Sequence, residues 1–318
     1  MTELCFQESG EVLVERAAGW ERRAAPWATN HWARHFARLV ATATEQRVGQ
    51  DAPLLSAALP TGERVQIVLP PATWPDHVAF AIRRPSTSVW SLEDLRVAGL
   101  FSECHLSGSA AAGAADRLAE CHAIGDWHAF LRLAVVRRLN IVISGSTGSG
   151  KTTLTKALIS EIPADERLIS IEDAAELEFP GHRNVVRLFY SKEGQGASRV
   201  TPKQLLEASL RLRPDRILLA ELRGEEAYYF LRNVNSGHPG SITSVHAGSA
   251  ALAFEQLALL VKESAPGRQL GLDDIHRLLR QVVDVVVQCA RADGTRKVTE
   301  VWWRDAGQMH AERARHAT

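Results

Sequence analysis

Apolar residues recur along this chain in two rhythms, and the change of rhythm divides it. Over the first hundred residues short alternating runs predominate. GEVLVERAAGWERR (10–23) reads as a short hairpin, and GERVQIVLP (62–70) and HVAFAIRRP (77–85) alternate as strands do. Between them NHWARHFARLVATATEQ (30–46) repeats at helical spacing through Trp32, Phe36, Leu39 and Val40, with Asn30 as its expected N-cap. That mixture predicts a small α+β unit. SGSAAAGAA (107–115) is small and flexible in composition and reads as a linker. DWHAFLRLAVVRR (126–138) then reads as a helix. From there strand-like and helix-like segments take turns: NIVISG, TTLTKALISEI, RLISIED, PKQLLEASLRL, DRILLAE, EAYYFLRNVNS, ITSVHAG and AALAFEQLALLVKES. Continuous apolar strands separated by helices predict a mostly parallel sheet covered on both faces. The expected division is residues 1–106, a linker at 107–116, and an α/β unit at 117–318. The tail RDAGQMHAERARHAT (304–318) lacks periodicity and is expected to fray.

Charge and composition narrow the classes. Thirty-seven basic residues balance 37 acidic ones, so direct nucleic-acid binding, which normally draws on a basic surplus, is disfavoured. The most apolar stretch, VQIVLPPATWPDHVAFAI (65–82), is interrupted by three prolines, Asp76 and His77, and does not read as a membrane span. The N-terminus is acidic where a secretory leader is basic, so a cytoplasmic location is expected. Cys5, Cys104, Cys121 and Cys289 are scattered, the pattern of reduced, mostly buried thiols rather than of disulfides or a zinc site. The arginines and tryptophan of 30–46 also suit an amphipathic helix on anionic lipid, but Glu45 and His35 dilute that face, and a core-facing helix is favoured.

One residue is out of character. The chain has 31 arginines and 6 lysines, and the first lysine is Lys151. It stands in GSTGSGKT (145–152), a full G-x-x-x-x-G-K-[ST] between an apolar strand and a helix. Glycines allow consecutive amide N–H groups to turn inward around phosphate oxygens, and the helix start adds its dipole. A slim ammonium reaches the β- and γ-phosphates through such a loop, where a planar fork fits poorly. Gly145, Ser146, Thr147, Gly148, Ser149, Gly150, Lys151, Thr152 and the following Thr153 are therefore the nucleotide-binding candidates, with ATP and Mg²⁺ as cofactors. The Thr152 hydroxyl is the expected Mg²⁺ contact.

Hydrolysis also needs carboxylates near the phosphates. DRILLAEL ends in Glu221, and RLISIED ends in Glu172 and Asp173 with Glu176 nearby. In open α/β sheets ligands gather at the carboxyl ends of strands, so both ends qualify to hold Mg²⁺ or orient water. Asp173 equally suits a helix cap. His246 closes ITSVH; on the residues alone a structural hydrogen-bonding role outweighs a catalytic one. His238 fits the GHPG turn. Arg211, Arg213 and Arg216, like Arg83 and Arg84, read first as solvated.

Taken in order, GSTGSGKTT, ISIEDAAEL, LRLRPDRILLAELRGEEAY and NSGHPGSITSVHAGS resemble the secretion/traffic ATPase superfamily, and most nearly its hexameric ATPases of type IV secretion and conjugal transfer. The resemblance covers most of residues 1–303. LPTGERVQIVLPP and AIRRPS are similar to that family's N-terminal domain, and LFYSKEGQG (188–196) points to the type IV branch. It implies a RecA-like P-loop NTPase domain after a smaller N-terminal domain. It implies ATP hydrolysis that closes and opens the two domains in a homohexamer. That ring would serve substrate transfer or pilus assembly, peripheral on the cytoplasmic face of the inner membrane beside channel and coupling proteins. By position Glu172 is then the general-base candidate. Glu221 is the carboxylate on the magnesium and water side, His246 senses the γ-phosphate, and Arg83 or Arg84 touches nucleotide. Ala220 stands where relatives often have glycine.

Other readings are a type II secretion or type IV pilus ATPase, a small-molecule kinase, and a non-hydrolysing scaffold. An N-K-x-D guanine signature is absent, which counts against a GTPase. LFYSKEGQG counts against a kinase lid, and the retained carboxylates count against a scaffold.

Overall fold

Alternation in the first part of the chain folds into one antiparallel sheet. The structure is a computed structural model that describes residues 3–16, 19–84, 117–173, 175–190, 200–235, 237–292 and 295–304. Strands β1 (Glu3–Phe6), β2 (Gly10–Arg16) and β3 (Gly19–Ala25) precede helix α1 (Asn30–Ala43), and β4 (Leu54–Ala58), β5 (Arg64–Val68) and β6 (Ala79–Arg83) follow it. Their order in the sheet is β3-β2-β1-β6-β5-β4. The 10–23 hairpin forms as read, with Gly10 opposite Ala25 and Arg16 opposite Gly19.

Helix α1 covers one face of this sheet through small residues. Ala33, Ala37, Val40 and Ala41 are buried against Phe6, Val12, Val14 and Phe80. Two local expectations change. Thr29, not Asn30, is the N-cap, its hydroxyl accepting from Trp32 N, while Asn30 Oδ1 accepts from Val78 N and ties the helix to β6. Leu39 is 55% exposed, whereas Val40 is buried and Trp32 and Phe36 pack partly buried against Phe80 beside the alanines.

The rest of the chain alternates as expected. It runs α2 (Arg117–Ile124), α3 (Trp127–Val136), β7 (Ile141–Gly145), α4 (Lys151–Ser160), β8 (Leu168–Glu172), β9 (Val185–Phe189), α5 (Pro202–Ser209), β10 (Arg216–Leu219), α6 (Glu226–Val234), β11 (Ile242–Val245), α7 (Ala250–Glu263), α8 (Leu272–Val282), β12 (Val285–Ala292) and β13 (Thr295–Trp303). β10-β8-β9 and β11-β7-β12 are parallel ladders, and β13 joins β12 antiparallel. Leu222 N donates to Ser244 O at 2.8 Å and Ser244 Oγ to Ala220 O at 3.0 Å, which fastens the two ladders at the β10–β11 seam. This is an α/β, RecA-like arrangement, and it sets the carboxyl ends of β7, β8, β10 and β11 side by side.

The second face of the first sheet packs on the α/β layer. Cys5, Leu13, Val68, Ala72 and Ala79 share a buried cluster with Val186, Leu188, Leu205 and Leu206. Hydrogen bonds reinforce the seam. Phe189 N donates to Ala72 O at 3.0 Å, and Thr73 Oγ1 to Arg187 O at 2.9 Å, so the open edge of β9 is covered. Arg213 pairs with Glu15 at 2.7 Å and Arg211 donates to Ser56 Oγ at 3.0 Å. Arg216 is wholly buried, held by Glu166 at 2.6 and 3.0 Å and by Val135 O at 2.8 Å. Arg216 is thus a buried structural tie rather than a solvated charge, whereas Arg211 and Arg213 are exposed as read and each also bonds across the seam. Cys5, Cys121 and Cys289 are buried free thiols. The expected linker at 107–116, Cys104, most of the LFYSKEGQG segment (191–196) and the tail beyond 304 lie outside the described residues.

Candidate active site

Strand β7 is buried throughout and apolar over its first three residues, and it delivers the chain to the loop 145–150 at the carboxyl end of the sheet. Gly145 is required by packing: a Cβ there would lie 2.4 Å from Cys289 O on β12 and 2.5 Å from Ser149 Oγ. Gly150 adopts φ +100° at the start of α4, a left-handed conformation suited to glycine, and the stem of Arg296 would lie 3.1 Å from a Cβ added to it. Ser149 is buried, and its Oγ has no hydrogen-bond partner.

Lys151 is buried with its ammonium turned back under the loop. Nζ donates to Gly145 O at 2.8 Å and Ser146 O at 3.1 Å, with His246 Nδ1 3.4 Å away. Burial pulls its pKa below the ordinary lysine value, and the nearby Glu221 opposes that fall. In front of it lies a cavity of about 240 Å³ walled by Lys151, Thr152, Glu176, Glu221, Arg223 and His246. Thr147 and Thr152 line it and are exposed, and Ser146, Gly148 and Thr153 are exposed nearby in the chain. Ala220 lines the same cavity; its N–H donates to Ile171 O at 3.1 Å and its carbonyl accepts from Ser244, so the added methyl is accommodated.

Glu221 reaches this cavity from the end of β10. Its Oε2 is clasped by Arg223 through Nε and Nη2. Its Oε1 lies 2.6 Å from His246 Nε2, but the contact is not aligned as a hydrogen bond and the buried oxygen receives no donor. Arg223 Nη1 also holds Asp173 Oδ2 at 3.1 Å. The turn is fixed from below by buried Glu226, whose Oε1 accepts from Arg223 N at 2.5 Å and Gly224 N at 2.8 Å.

Glu172 is placed differently from the expectation. It is fully buried and walled off from the cavity. Arg187 grips it with Nε at 2.9 Å and Nη2 at 2.8 Å, Ser170 Oγ donates at 2.6 Å, and the N–H groups of Glu176 and Leu177 donate at 3.0 Å each. A carboxylate accepting five such bonds has no lone pair left for a water proton. Glu172 is thus a post that fixes the turn bearing Glu176. Arg187 continues outward, its guanidinium 5.0 Å from the ring centre of Trp74 in the first sheet's unit.

Arg83 and Arg84 are also displaced from expectation. Arg83 ends β6 and lines a separate cavity of about 550 Å³ with Glu3, Arg64, Arg211 and Arg213; Arg84 is exposed. Within one chain neither reaches the phosphate loop, because β6 turns its end toward the α5–β10 connection. Two site residues escaped sequence reading. Arg223 offers a faint signal, two residues beyond the strand-end acid in a glycine turn. Arg296, whose Nε donates to Gly148 O at 3.3 Å, comes from the β12–β13 hairpin and carries none.

The family described as "Type II/IV secretion system protein" matches residues 123–316. The chain belongs to that family. It is similar to the type IV secretion system protein VirB11 of Bartonella henselae, 47% identical over 312 residues, covering 95% of this chain and 87% of that protein. It is 39% identical to the type IV secretion system protein PtlH of Bordetella pertussis, covering 96% and 91%. The crystal structure of the VirB11 ATPase from the Brucella suis type IV secretion system, in complex with sulphate, superposes with a TM-score of 0.89 at 45% identity, over 97% of this chain and 94% of that one. Membership places the chain among the type IV secretion ATPases, and the α/β fold around the loop agrees with it.

Proposed function

We propose that this protein hydrolyses ATP at the 145–152 loop and passes the resulting domain motion to a type IV secretion machine. The observation that carries the reading is the convergence of Lys151, Thr152, Glu221 and His246 on one cavity at the end of a buried parallel strand. Loop amides and Lys151 bind the phosphates, and Glu221 is the carboxylate beside them.

The residues fit Mg²⁺ in the manner of a P-loop site. Glu221 Oε1 is a buried oxygen without a donor, and the Thr152 hydroxyl stands on the same cavity. In a site of this kind phosphate oxygens and waters complete the Mg²⁺ shell. Thr152 and Glu221 would hold the ion, which supplies charge neutralisation on the phosphates. Water oxygen then bonds to the γ-phosphorus as the bond from that phosphorus to the bridging oxygen breaks. Glu221 takes the water proton, and ADP leaves. His246, beside both Lys151 and Glu221, is placed to report phosphate occupancy to β11.

The reading extends to a 1–106 N-terminal domain and an ATPase domain from 117, assembled as a homohexamer on the cytoplasmic face of the inner membrane, with channel and coupling proteins as partners. Arg83 or Arg84 would contact nucleotide in that ring only from a neighbouring copy. The β9-edge hooks support mechanical coupling, since the first sheet grips the layer that carries the site. Among the described residues no helix is long and apolar enough to cross a membrane. Phosphate release by purified protein tests the core claim. Lys151→Ala should abolish release, and Glu221→Gln should reduce it by about a hundredfold or more while nucleotide still binds. Normal turnover by Glu221→Gln would overturn the assignment of that residue.

A further inference from the structure

Arg223 is the one guanidinium in the wall of the phosphate cavity among the described residues, and its connections are unusual. One end clasps Glu221 Oε2, the other holds Asp173 Oδ2 at 3.1 Å, so a single cation spans the carboxyl ends of β10 and β8. Its backbone is anchored by Glu226, yet its side chain is 42% exposed. An anchored main chain with a solvent-accessible head can change partners without moving the turn. Glu221 and Glu176 line the cavity and repel a polyphosphate, and Glu221 is less available to water or metal while the guanidinium occupies it. A terminal phosphate offers the same cation a bidentate, doubly charged alternative at the geometry a guanidinium fits best.

We propose that Arg223 is the residue that distinguishes triphosphate from diphosphate: its guanidinium transfers from Glu221 and Asp173 to the terminal phosphate oxygens, and the transfer releases Glu221 for the attacking water. Arg223 is then a catalytic residue that couples arrival of the correct nucleotide to exposure of the carboxylate. The inference rests on the nucleotide reading of the site and adds to it the basis of discrimination between substrate and product.

The test is equilibrium binding of ADP and of the non-hydrolysable β,γ-imido analogue of ATP, each with Mg²⁺, to the full chain. Arg223→Ala should weaken the triphosphate analogue by about tenfold or more and leave ADP within about twofold. Arg223→Lys should recover part of the preference, because it restores the charge but not the fork. Arg223→Ala combined with Asp173→Asn separates recognition from charge balance: the preference should stay lost. Its return in the double variant would show that the arginine only offsets carboxylate charge, and would overturn the proposal. So would equal weakening of both nucleotides, or of neither. If the unsubstituted protein binds neither nucleotide, the reading of the site fails and this inference falls with it; binding of ADP by every variant keeps the two failures apart.

Discussion

At Glu172 and Glu221, two carboxylates at the ends of neighbouring strands have opposite fates. Glu221 keeps one oxygen without a donor and faces the cavity, whereas Glu172 spends its lone pairs on Arg187, Ser170 and two amides. Glu172→Gln should therefore act on folding more than on chemistry. Breaking one partner of the buried Glu172–Arg187 pair should lower stability by about 3 kcal/mol in urea unfolding. Turnover per folded molecule should stay within about tenfold of the unsubstituted value. Loss of turnover at unchanged stability would instead make Glu172 the base. The sequence shows both acids at strand ends but cannot tell them apart. Their difference is set by Arg187, which the β8–β9 register brings opposite Ser170, and a parallel pairing between residues seventeen apart leaves no local mark.

Among elements, β7, its loop and α4 were the most legible, since motif, apolar strand and helix agree over one continuous stretch. The edges were the least legible. β9 is half exposed on alternate residues and is short, and it pairs with β8 in parallel, with no hairpin turn to mark the pairing. β13 alternates weakly because much of its length faces solvent. The N-cap moved by one residue because Asn30 was recruited to β6. Packing between elements also explains why the loop tolerates so little. Gly145 rests on the backbone of β12, so Gly145→Ala forces the strand or loop to move. It should lower stability by about 2 kcal/mol and, more diagnostically, abolish phosphate release even at temperatures where the fold persists, as read by thermal melts alongside the release assay.

For the whole molecule, the seam between the first sheet and the α/β layer carries a titratable load. Glu3 is buried there, opposite Glu15 on β2 and Arg83 on β6. Burial pushes its carboxyl up to about 7; Arg83 and Arg213 oppose the rise, and Glu15 adds to it. A folded pKa above the unfolded one means the native state holds a proton that the unfolded chain has already released. Stability should thus fall as pH rises from about 4.5 to about 7, then level off. Glu3→Gln should remove most of that slope. Urea midpoints at pH 5 and pH 8 check it, and an unchanged slope in the variant would exclude Glu3 as its source.

The phosphate loop leans on Cys289 of β12, and β7 is flanked by β11 and β12, segments that a ribosome delivers roughly a hundred residues and more after the loop itself. Every residue of the signature can therefore have emerged while the receptacle is still missing a wall. A polypeptide halted before β12 should carry the complete motif and yet fail to retain ADP, so in this molecule competence for nucleotide is acquired late in synthesis rather than when the signature is read out.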